Sequence, residues 1–242
     1  MSPMKERIVD YWAERAESFQ AQRMREFESR KKEAWRKEFH RILPFGRLGR
    51  KLRILDAGTG TGFFAFLLSE EGHTVTGIDL TPEMIKQARR MSECLGIHAD
   101  FRVMDAEDTA FEDESFDAVV TRNLTWTLPH AANAYREWYR ILKPGGILVN
   151  FDADYCAAEE EEKELPENHA HKLLSDRLLN ENSLITMELS AYQEPRPQWD
   201  VQLLIEAGFE RIQVDTGVYK RIYDEIDEFY NPVPVFMIAA YK

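Results

Sequence analysis

Residues 53–79, RILDAGTGTGFFAFLLSEEGHTVTGID, decide the fold of this chain. An apolar run leads to Asp56, glycines follow at every second position, and a helix-like run connects to a second apolar run that ends at Asp79. Glycine is needed where the backbone takes a positive φ or approaches a ligand closely, and the amides at a helix start attract an anionic group. The pattern predicts a strand, a ligand-binding turn, a helix and a second strand.

The spacing of the glycines in this turn distinguishes between several kinds of nucleotide-binding motif. In the dinucleotide fingerprint the third glycine comes three residues after the second, where this chain has Phe63. A phosphate-binding P-loop would need a following Gly-Lys-Ser/Thr, which the sequence lacks. Asp56 would repel a pyrophosphate and suits a ligand with a positive charge, whereas Asp79 is placed to accept hydrogen bonds from ribose hydroxyls. A nicotinamide-dependent dehydrogenase is disfavoured but stays open.

Short apolar runs alternate with amphipathic stretches along the middle of the chain. Strands are predicted at 52–57, 74–79, 98–104, 116–122 and 146–152. Helices are predicted between them at 61–71, 82–95 and 130–142. A helix at 198–207 and strands at 210–217 and 234–241 complete the chain, and Pro232 and Pro234 put the start of the last strand at an edge or in a loop. Alternation of this kind predicts a mostly parallel sheet covered on both faces.

Two further segments are predicted outside this alternation. Residues 4–40 are expected to be helical, because aromatic and aliphatic residues recur among charges without Gly or Pro. The expected division is an N-terminal helical cap, 1–46, and a main domain, 47–242. Within the main domain, residues 153–197 are interpreted as an insertion above the sheet, with an acidic run at 159–164 and a helix from His169 to Asn180.

Charge and composition limit the possible partners. The chain has 31 Lys and Arg against 43 Asp and Glu, a net charge of −12, which argues against nucleic acid as the main partner. The N-terminal segment is basic, and we interpret it as solvated helices lying against an acidic body. Cys94 and Cys156 lack the spacing of a disulfide framework or a zinc site. Without a long apolar run, a cytoplasmic protein that does not enter a membrane is expected.

Five motifs in order resemble the class I S-adenosylmethionine-dependent methyltransferases, of the methyltransferase type 11 kind. They are LDAGTGTG at 55–62, GIDLTPEMI at 77–85, VMDAEDTAF at 103–111, SFDAVVTRNLTW at 115–126 and ILKPGG at 141–146. The resemblance implies an α/β, Rossmann-like fold with a seven-stranded, mostly parallel sheet, an antiparallel last strand, helices on both faces and an N-terminal helical cap. It also implies S-adenosyl-L-methionine as cofactor and S-adenosyl-L-homocysteine as product.

The resemblance assigns expected contacts to both ends of this cofactor. Gly58, Thr59 and Gly60 would pass under the methionine part, and its ammonium would lie near Asp56 and Asn123. At the nucleoside end, Asp79 would hold the ribose and Asp105 would accept from the adenine amine. The remaining expected contacts are Leu80 and Met84 beside the adenine, the Ala106 amide at a ring nitrogen, its neighbour Glu107, and Tyr11, Trp12 and Arg15 in the helix that closes over the cofactor.

The implied reaction is methyl transfer to a small-molecule acceptor. The sulfonium already activates the methyl group, so the protein can act mainly by positioning the nucleophile, and no catalytic residue is assigned. Acceptor contacts are expected above the carboxyl ends of the strands. The candidates there are Trp126, Tyr155, His169, Arg196 and Trp199, with His169 or His171 as a possible base.

Other functions stay open at this point. One alternative is an NAD-dependent oxidoreductase, because it would share the strand, the glycine turn and the distal acid. Another is a non-catalytic interaction protein that keeps a cofactor pocket, with the basic N-terminal helices as a partner surface. No metal site is expected, and a monomer or a homodimer fits the sequence equally well.

Overall fold

A seven-stranded β-sheet forms the centre of the computed structural model, which describes residues 1–43, 50–155, 165–189 and 194–242. The strands are β1 (Arg53–Ala57), β2 (Thr74–Asp79), β3 (Asp100–Val103), β4 (Phe116–Arg122), β5 (Leu142–Ala153), β6 (Glu210–Asp215) and β7 (Val235–Tyr241). Their order is β3-β2-β1-β4-β5-β7-β6, and β7 runs antiparallel to both of its neighbours while the other pairs are parallel. The predicted fold class is confirmed.

Helices cover both faces of this sheet. They are α1 (Pro3–Glu28), α2 (Arg30–Ile42), α3 (Phe63–Glu70), α4 (Pro82–Leu95), α5 (Ala131–Ile141), α6 (Asp176–Glu188), α7 (Gln198–Ala207) and α8 (Val218–Ile222). Short 3₁₀ turns lie at Thr125–Thr127 and Ala170–Leu173. Side chains of α2, α3, α4 and α8 join one apolar cluster, and those of α5 and α7 join the other.

Alternating strand residues feed these two clusters. Ile54 and Val120 belong to the first cluster, whereas their neighbours Leu55 and Val119, which pair in register across β1 and β4, belong to the second. Successive side chains of a strand point to opposite faces, so a nearly continuous apolar run is what a sheet covered on both sides requires. The sheet edge where β1, β2 and β4 end is thereby fixed in position.

The N-terminal helices share the core of the main domain. Trp35 of α2 is fully buried, with its ring centroid 5.0 Å from that of Phe64 and 5.2 Å from that of Phe151. Phe39 lies 4.8 Å from Phe64 in the same cluster. The predicted domain boundary at residues 46 and 47 lies outside the described residues, and the division into cap and main domain stays a prediction.

Several boundaries differ from the sequence-based expectation. The helix predicted over 4–40 is broken at Ser29, whose hydroxyl donates to the Glu26 carbonyl at the end of α1 and accepts from the Lys31 amide at the start of α2. The helix predicted from His169 to Asn180 was wrong in position: α6 begins after Ser175, whose side chain caps it, and ends at Glu188. Serine at an N-cap satisfies amides that lack a helical partner. Cys156 and the acidic run 159–164 lie outside the described residues.

Candidate active site

A cavity of about 560 Å³ opens at the carboxyl ends of β1, β2 and β4. Its volume lies in the range that small-molecule sites occupy. The glycine turn and the end of β2 form one end, and α1 lies along a wall. Residues 122–129, Tyr155, His169 and the segment 223–233 contribute the other end. Ligand sites of open α/β sheets lie at this edge.

The glycine turn takes the backbone conformation that its sequence predicts. Gly58 and Gly60 have φ angles of 66° and 54°. A Cβ on Gly58 would lie 2.6 Å from Cδ1 of Leu124, so a side chain there meets both conformational strain and a clash. The Thr59 amide, 2.8 Å from the Ile78 carbonyl, ties the turn to β2. The turn is therefore held open toward the cavity by backbone contacts.

Asp56 lies beneath this turn and is almost fully buried. Its Oδ2 atom accepts from the Thr59 hydroxyl at 2.6 Å and from the Ala65 amide at 3.0 Å. Burial raises the pKa of Asp56 to about 7, although both hydrogen bonds act in the opposite direction. A buried carboxyl with such a pKa is a site that a cationic ligand group would convert to the charged form.

Asp79 at the end of β2 holds the turn from the other side. Its two carboxylate oxygens accept from the Gly60 amide at 3.0 Å and the Thr81 amide at 2.8 Å. Burial raises its pKa as well. Leu80 and Met84, the residues predicted to lie beside an adenine, line the same end of the cavity. The structure thus brings the glycine turn and the predicted ribose-binding carboxylate together.

A lysine that the sequence analysis did not consider lies at the predicted adenine end. Lys5 of α1 places Nζ 2.5 Å from Oδ2 of Asp105 and 2.6 Å from Oε2 of Glu107. Asp105 and Ala106 line the cavity. Glu107 is not one of the lining residues, and its carboxylate accepts from Lys5 and from the His130 amide at 2.8 Å. The contact of Glu107 with the cofactor stays a prediction.

Asn123 occupies a special backbone position just beyond β4. Its φ is 54°, a left-handed conformation that asparagine tolerates better than most residues. Its carbonyl accepts from Nε1 of Trp126 at 3.1 Å, while its Oδ1 atom is buried without a hydrogen-bond partner in the described part of the chain. A buried acceptor of this kind is costly unless a ligand supplies a donor.

The wall formed by α1 is aromatic and carries one guanidinium. Tyr11, Trp12 and Phe19 line the cavity, and the Arg15 guanidinium lies between 5.4 and 5.9 Å from their ring centroids. Arg15 donates to the Tyr11 hydroxyl at 3.3 Å, and its buried Nε has no partner among the described residues. The helix predicted to close over the cofactor does face the cavity.

Three of the five acceptor candidates line the cavity. The rings of Trp126 and Tyr155 lie 4.9 Å apart between centroids, and the Tyr155 hydroxyl accepts from Nδ2 of Asn231 at 2.7 Å. His169 is buried, and its Nε2 donates to the Tyr230 carbonyl at 2.8 Å, so the two segments are joined. The side chain of His171 lies outside the described residues.

The structure places Arg196 away from the cavity, which corrects its assignment as an acceptor contact. Its side chain is fully buried and donates to both carboxylate oxygens of Asp200, at 2.9 and 2.7 Å, and to the Ala153 carbonyl. It also lies 3.4 Å from Oδ2 of Asp152. A guanidinium with these partners has no pair of N–H donors left to bind a substrate carboxylate.

Trp199 was also assigned to the acceptor site and is not found there. It packs against the cluster on the α5 and α7 face of the sheet, among residues that include Trp138 and Leu204. The sequence pattern could not distinguish a position in the acceptor site from one in the core, because an aromatic residue at a helix start suits a pocket wall and a core equally well.

Several cavity residues were missed by the sequence analysis. Arg23, Arg122 and Tyr223 also line the cavity. Arg122 donates to Glu26 at 2.8 Å and to the Tyr223 hydroxyl at 3.3 Å. The stretch before β7 is rich in aromatic residues and contains Asn and Pro, and this composition could have indicated that it lines a pocket. The other lining residues from that stretch are Phe229, Tyr230, Asn231, Pro232 and Val233.

The described ranges contain neither a helix that could span a membrane nor a group of side chains that could hold a metal ion. No helix there combines the length and apolarity of a bilayer span. No group of three His, Cys, Asp or Glu side chains there is arranged to hold a metal ion.

Comparison with known proteins places the family match on this same region. Residues 55–150 match a protein family described as "Methyltransferase domain". The ubiquinone biosynthesis O-methyltransferase of Xanthomonas axonopodis pv. citri is 40% identical over 97 residues, which are 40% of this chain and 41% of that protein. The corresponding protein of Xanthomonas campestris pv. campestris is 39% identical over the same length. The match therefore spans about two-fifths of the relatives' length.

Solved structures extend the likeness to most of the chain. Phosphoethanolamine N-methyltransferase 2 of Haemonchus contortus, in complex with S-adenosyl-L-methionine, has a TM-score of 0.62 at 22% identity, covering 85% of this chain and 52% of that one. A SAM-dependent methyltransferase of Aquifex aeolicus has a TM-score of 0.56 at 20% identity, covering 85% and 88%. The cyclase SpnF has a TM-score of 0.57 at 18% identity, covering 86% and 81%.

These structural likenesses establish the fold, which proteins of different activity share. The family match covers the strands and turns that carry Asp56, the glycine turn, Asp79, Asp105 and Asn123. Residues 55–150, about two-fifths of this chain, are therefore similar in sequence to a methyltransferase domain.

Proposed function

We propose that this protein transfers the methyl group of S-adenosylmethionine to a small-molecule acceptor and releases S-adenosylhomocysteine. The observation that carries the proposal is the shared cavity of the glycine turn, Asp56 and Asp79 within a methyltransferase domain. Bound S-adenosylmethionine supplies an activated methyl group, so the chain's own residues bind, orient and shield the reactants.

The buried polar atoms without partners fit the amino-acid part of this cofactor. Oδ1 of Asn123 is an unused acceptor and Nε of Arg15 an unused donor, each counted among the described residues. In our proposal the cofactor ammonium is held by Asn123 together with the Asp56 carboxylate, and its carboxylate by Arg15. Asp79 accepts from the ribose hydroxyls with the lone pairs that Gly60 and Thr81 leave free.

A small acceptor is supported by the size and walls of the cavity. At about 560 Å³ it suits a ligand of metabolite size beside the cofactor, and α1 covers it from outside. The relatives are named for ubiquinone biosynthesis, and one structural neighbour is named for phosphoethanolamine, both small molecules. The net charge of −12 disfavours a nucleic-acid acceptor.

Positioning is the main catalytic contribution that we assign to the chain. Trp126 and Tyr155 form an aromatic wall next to Asn123, where the methyl group would face the acceptor. Holding the acceptor atom in line with the methyl group accelerates the displacement by avoiding the entropy cost of a bimolecular encounter. No residue is assigned as a general base.

The raised pKa of Asp56 predicts a pH dependence of cofactor binding. Its pKa of about 7 leaves the carboxyl largely protonated at lower pH, and only the carboxylate attracts the ammonium. Affinity for S-adenosylhomocysteine is therefore expected to fall about tenfold between pH 8 and pH 6, measured by isothermal titration calorimetry. The Asp56→Asn variant should bind more weakly at pH 8 and lose this dependence.

The exposed Asp100→Asn variant serves as the control and should keep the wild-type pH profile. A flat wild-type profile between pH 6 and pH 8 would contradict the role of Asp56 at the ammonium.

The proposed activity is tested by incubating the protein with a metabolite extract and isotope-labelled S-adenosylmethionine. We expect a compound of metabolite size to gain the labelled methyl group, identified by mass spectrometry, with equimolar S-adenosylhomocysteine. The Asp79→Ala variant is the negative control. Labelling of protein or nucleic acid without any labelled small molecule would contradict a small-molecule acceptor.

A further inference from the structure

Two arginines that line the cavity share one carboxylate. Arg122 donates through Nη2 to Oε1 of Glu26 at 2.8 Å and through Nη1 to Oε2 at 3.3 Å. Nη1 of Arg23 donates to Oε2 of the same carboxylate. The side chain of Glu26 is fully buried, and those of Arg23 and Arg122 are 14% and 11% exposed.

This cluster has one more positive than negative charge. Trp35 donates its indole N–H to Glu26 at 3.2 Å and brings no charge, and Tyr223 brings a neutral hydroxyl to Arg122. Lys5 at the opposite end is the contrast, because two carboxylates bind its single ammonium. The surplus positive charge therefore lies with the arginine pair.

Asp56, beneath the glycine turn, is a further carboxyl that interacts electrostatically with Arg122. Asp56 accepts from Thr59 and from the Ala65 amide, and in the proposed function it meets the cofactor ammonium. Arg122 acts on its pKa only as a minor influence behind burial. Among the described residues, Glu26 is thus the carboxylate that forms ion pairs with Arg23 and Arg122.

Burying this surplus charge is unfavourable in the ligand-free protein. Burial lowers the pKa of Arg23, and the neighbouring Arg122 lowers it further although Glu26 acts in the opposite direction. A charge taken out of water without its own partner weakens the fold, and a ligand anion would remove that cost. Arg23 borders the cavity, so such an anion has access.

The surroundings of the arginine pair are aromatic. The Arg23 guanidinium lies 4.6 Å from the ring centroid of Phe19, and Arg122 lies 4.4 Å from that of Trp35. Phe19, Tyr155, Tyr223 and Tyr230 line the cavity beside them. A flat apolar body with one anionic end would match this combination of walls and charge.

We propose that the methyl acceptor carries a carboxylate or phosphate group, bound by Arg23 beside Arg122, on an apolar or aromatic body. The inference rests on the proposed function and narrows its substrate class. Guanidinium binds both groups through paired hydrogen bonds, and Arg23 donates only one such bond to Glu26.

The test titrates matched fragments into the protein, with and without saturating S-adenosylhomocysteine. Benzoate and phenyl phosphate supply the two anionic groups, and benzamide is the neutral analogue of benzoate. At least one anion is expected to bind about tenfold more tightly than benzamide, and the tighter of the two identifies the group. Arg23→Gln should abolish the preference, whereas Arg90→Gln, which removes an exposed charge on α4, should keep it.

Thermal unfolding separates a binding role of Arg23 from a structural one. Arg23→Gln removes the surplus charge and leaves Glu26 paired with Arg122, so its Tm is expected to equal or exceed that of the wild type. Arg122→Gln removes the bidentate partner of Glu26 and should lower Tm by about 5 °C or more.

Each negative outcome is distinguishable from the others. Failure of S-adenosylhomocysteine to bind contradicts the proposed function, and the fragment titrations on the ligand-free protein still decide the anion preference. Equal binding of benzamide and both anions overturns the inference. So does a loss of Tm in Arg23→Gln as large as that in Arg122→Gln, because Arg23 would then be a structural counter-ion.

Discussion

Replacing Asp79 by alanine is expected to weaken S-adenosylmethionine binding by at least about a hundredfold, or roughly 3 kcal/mol. The carboxylate holds the Gly60 and Thr81 amides and, in the proposed function, accepts from the ribose hydroxyls. Hydrogen bonds to a charged group contribute about 1.5–3 kcal/mol each. Loss of the ribose contacts and of the anchored turn together gives the expected effect, measured by calorimetry.

Circular dichroism must show that the Asp79→Ala variant keeps its fold. Asp100→Ala, an exposed change on the neighbouring strand β3, is the matched control and should bind within about twofold of the wild type. Affinity of a folded Asp79→Ala variant within threefold of the wild type, by contrast, would remove Asp79 from the cofactor site.

Arg196→Ala is expected to reduce the free energy of unfolding by about 3–5 kcal/mol. The substitution leaves Asp152 and Asp200 buried without their cation, and it also removes donors to Thr125 and to the Ala153 carbonyl. The positive charge of Arg196 is itself stabilised in the fold, because the two acids outweigh the effect of burial and raise the pKa of Arg196. Urea denaturation measures the change.

The control for Arg196 is Arg136→Ala on the exposed face of α5, expected within about 0.5 kcal/mol of the wild type. The account of Arg196 as a buried counter-ion fails if Arg196→Ala keeps its stability but loses affinity for the acceptor, since that result would restore the sequence-based assignment.

The residues that we assign to the cofactor could be proposed from the sequence because they follow a local pattern. Gly58, Gly60 and Asp56 lie within one strand and turn, and their spacing specifies the backbone. Asp79 follows one crossover later, and parallel strands bring their carboxyl ends to the same edge. The structure places these residues around one cavity, while their contacts with a cofactor stay predictions.

The proposed acceptor half could not be predicted in the same way, because it joins distant segments. Glu26 and Arg122 are 96 residues apart, and Arg122 and Tyr223 are 101 apart. Arg23 lies in a helix with many charged residues, and such residues are ordinarily interpreted as a solvent-exposed face. The assignment of Arg196 was wrong because one of its buried acids, Asp152, lies far away in sequence, although Asp200 is only four residues on.

Calorimetry of the wild-type protein with S-adenosylmethionine, S-adenosylhomocysteine and NAD tests the central claim most directly. In the proposed site, Phe63 stands where a dinucleotide fold has its third glycine for the pyrophosphate, and Asp56 is placed to bind an ammonium. Both sulfur-containing nucleosides are expected to bind with micromolar or tighter affinity, and NAD at least about a hundredfold more weakly. Tight NAD binding without a response to the other two would contradict the account.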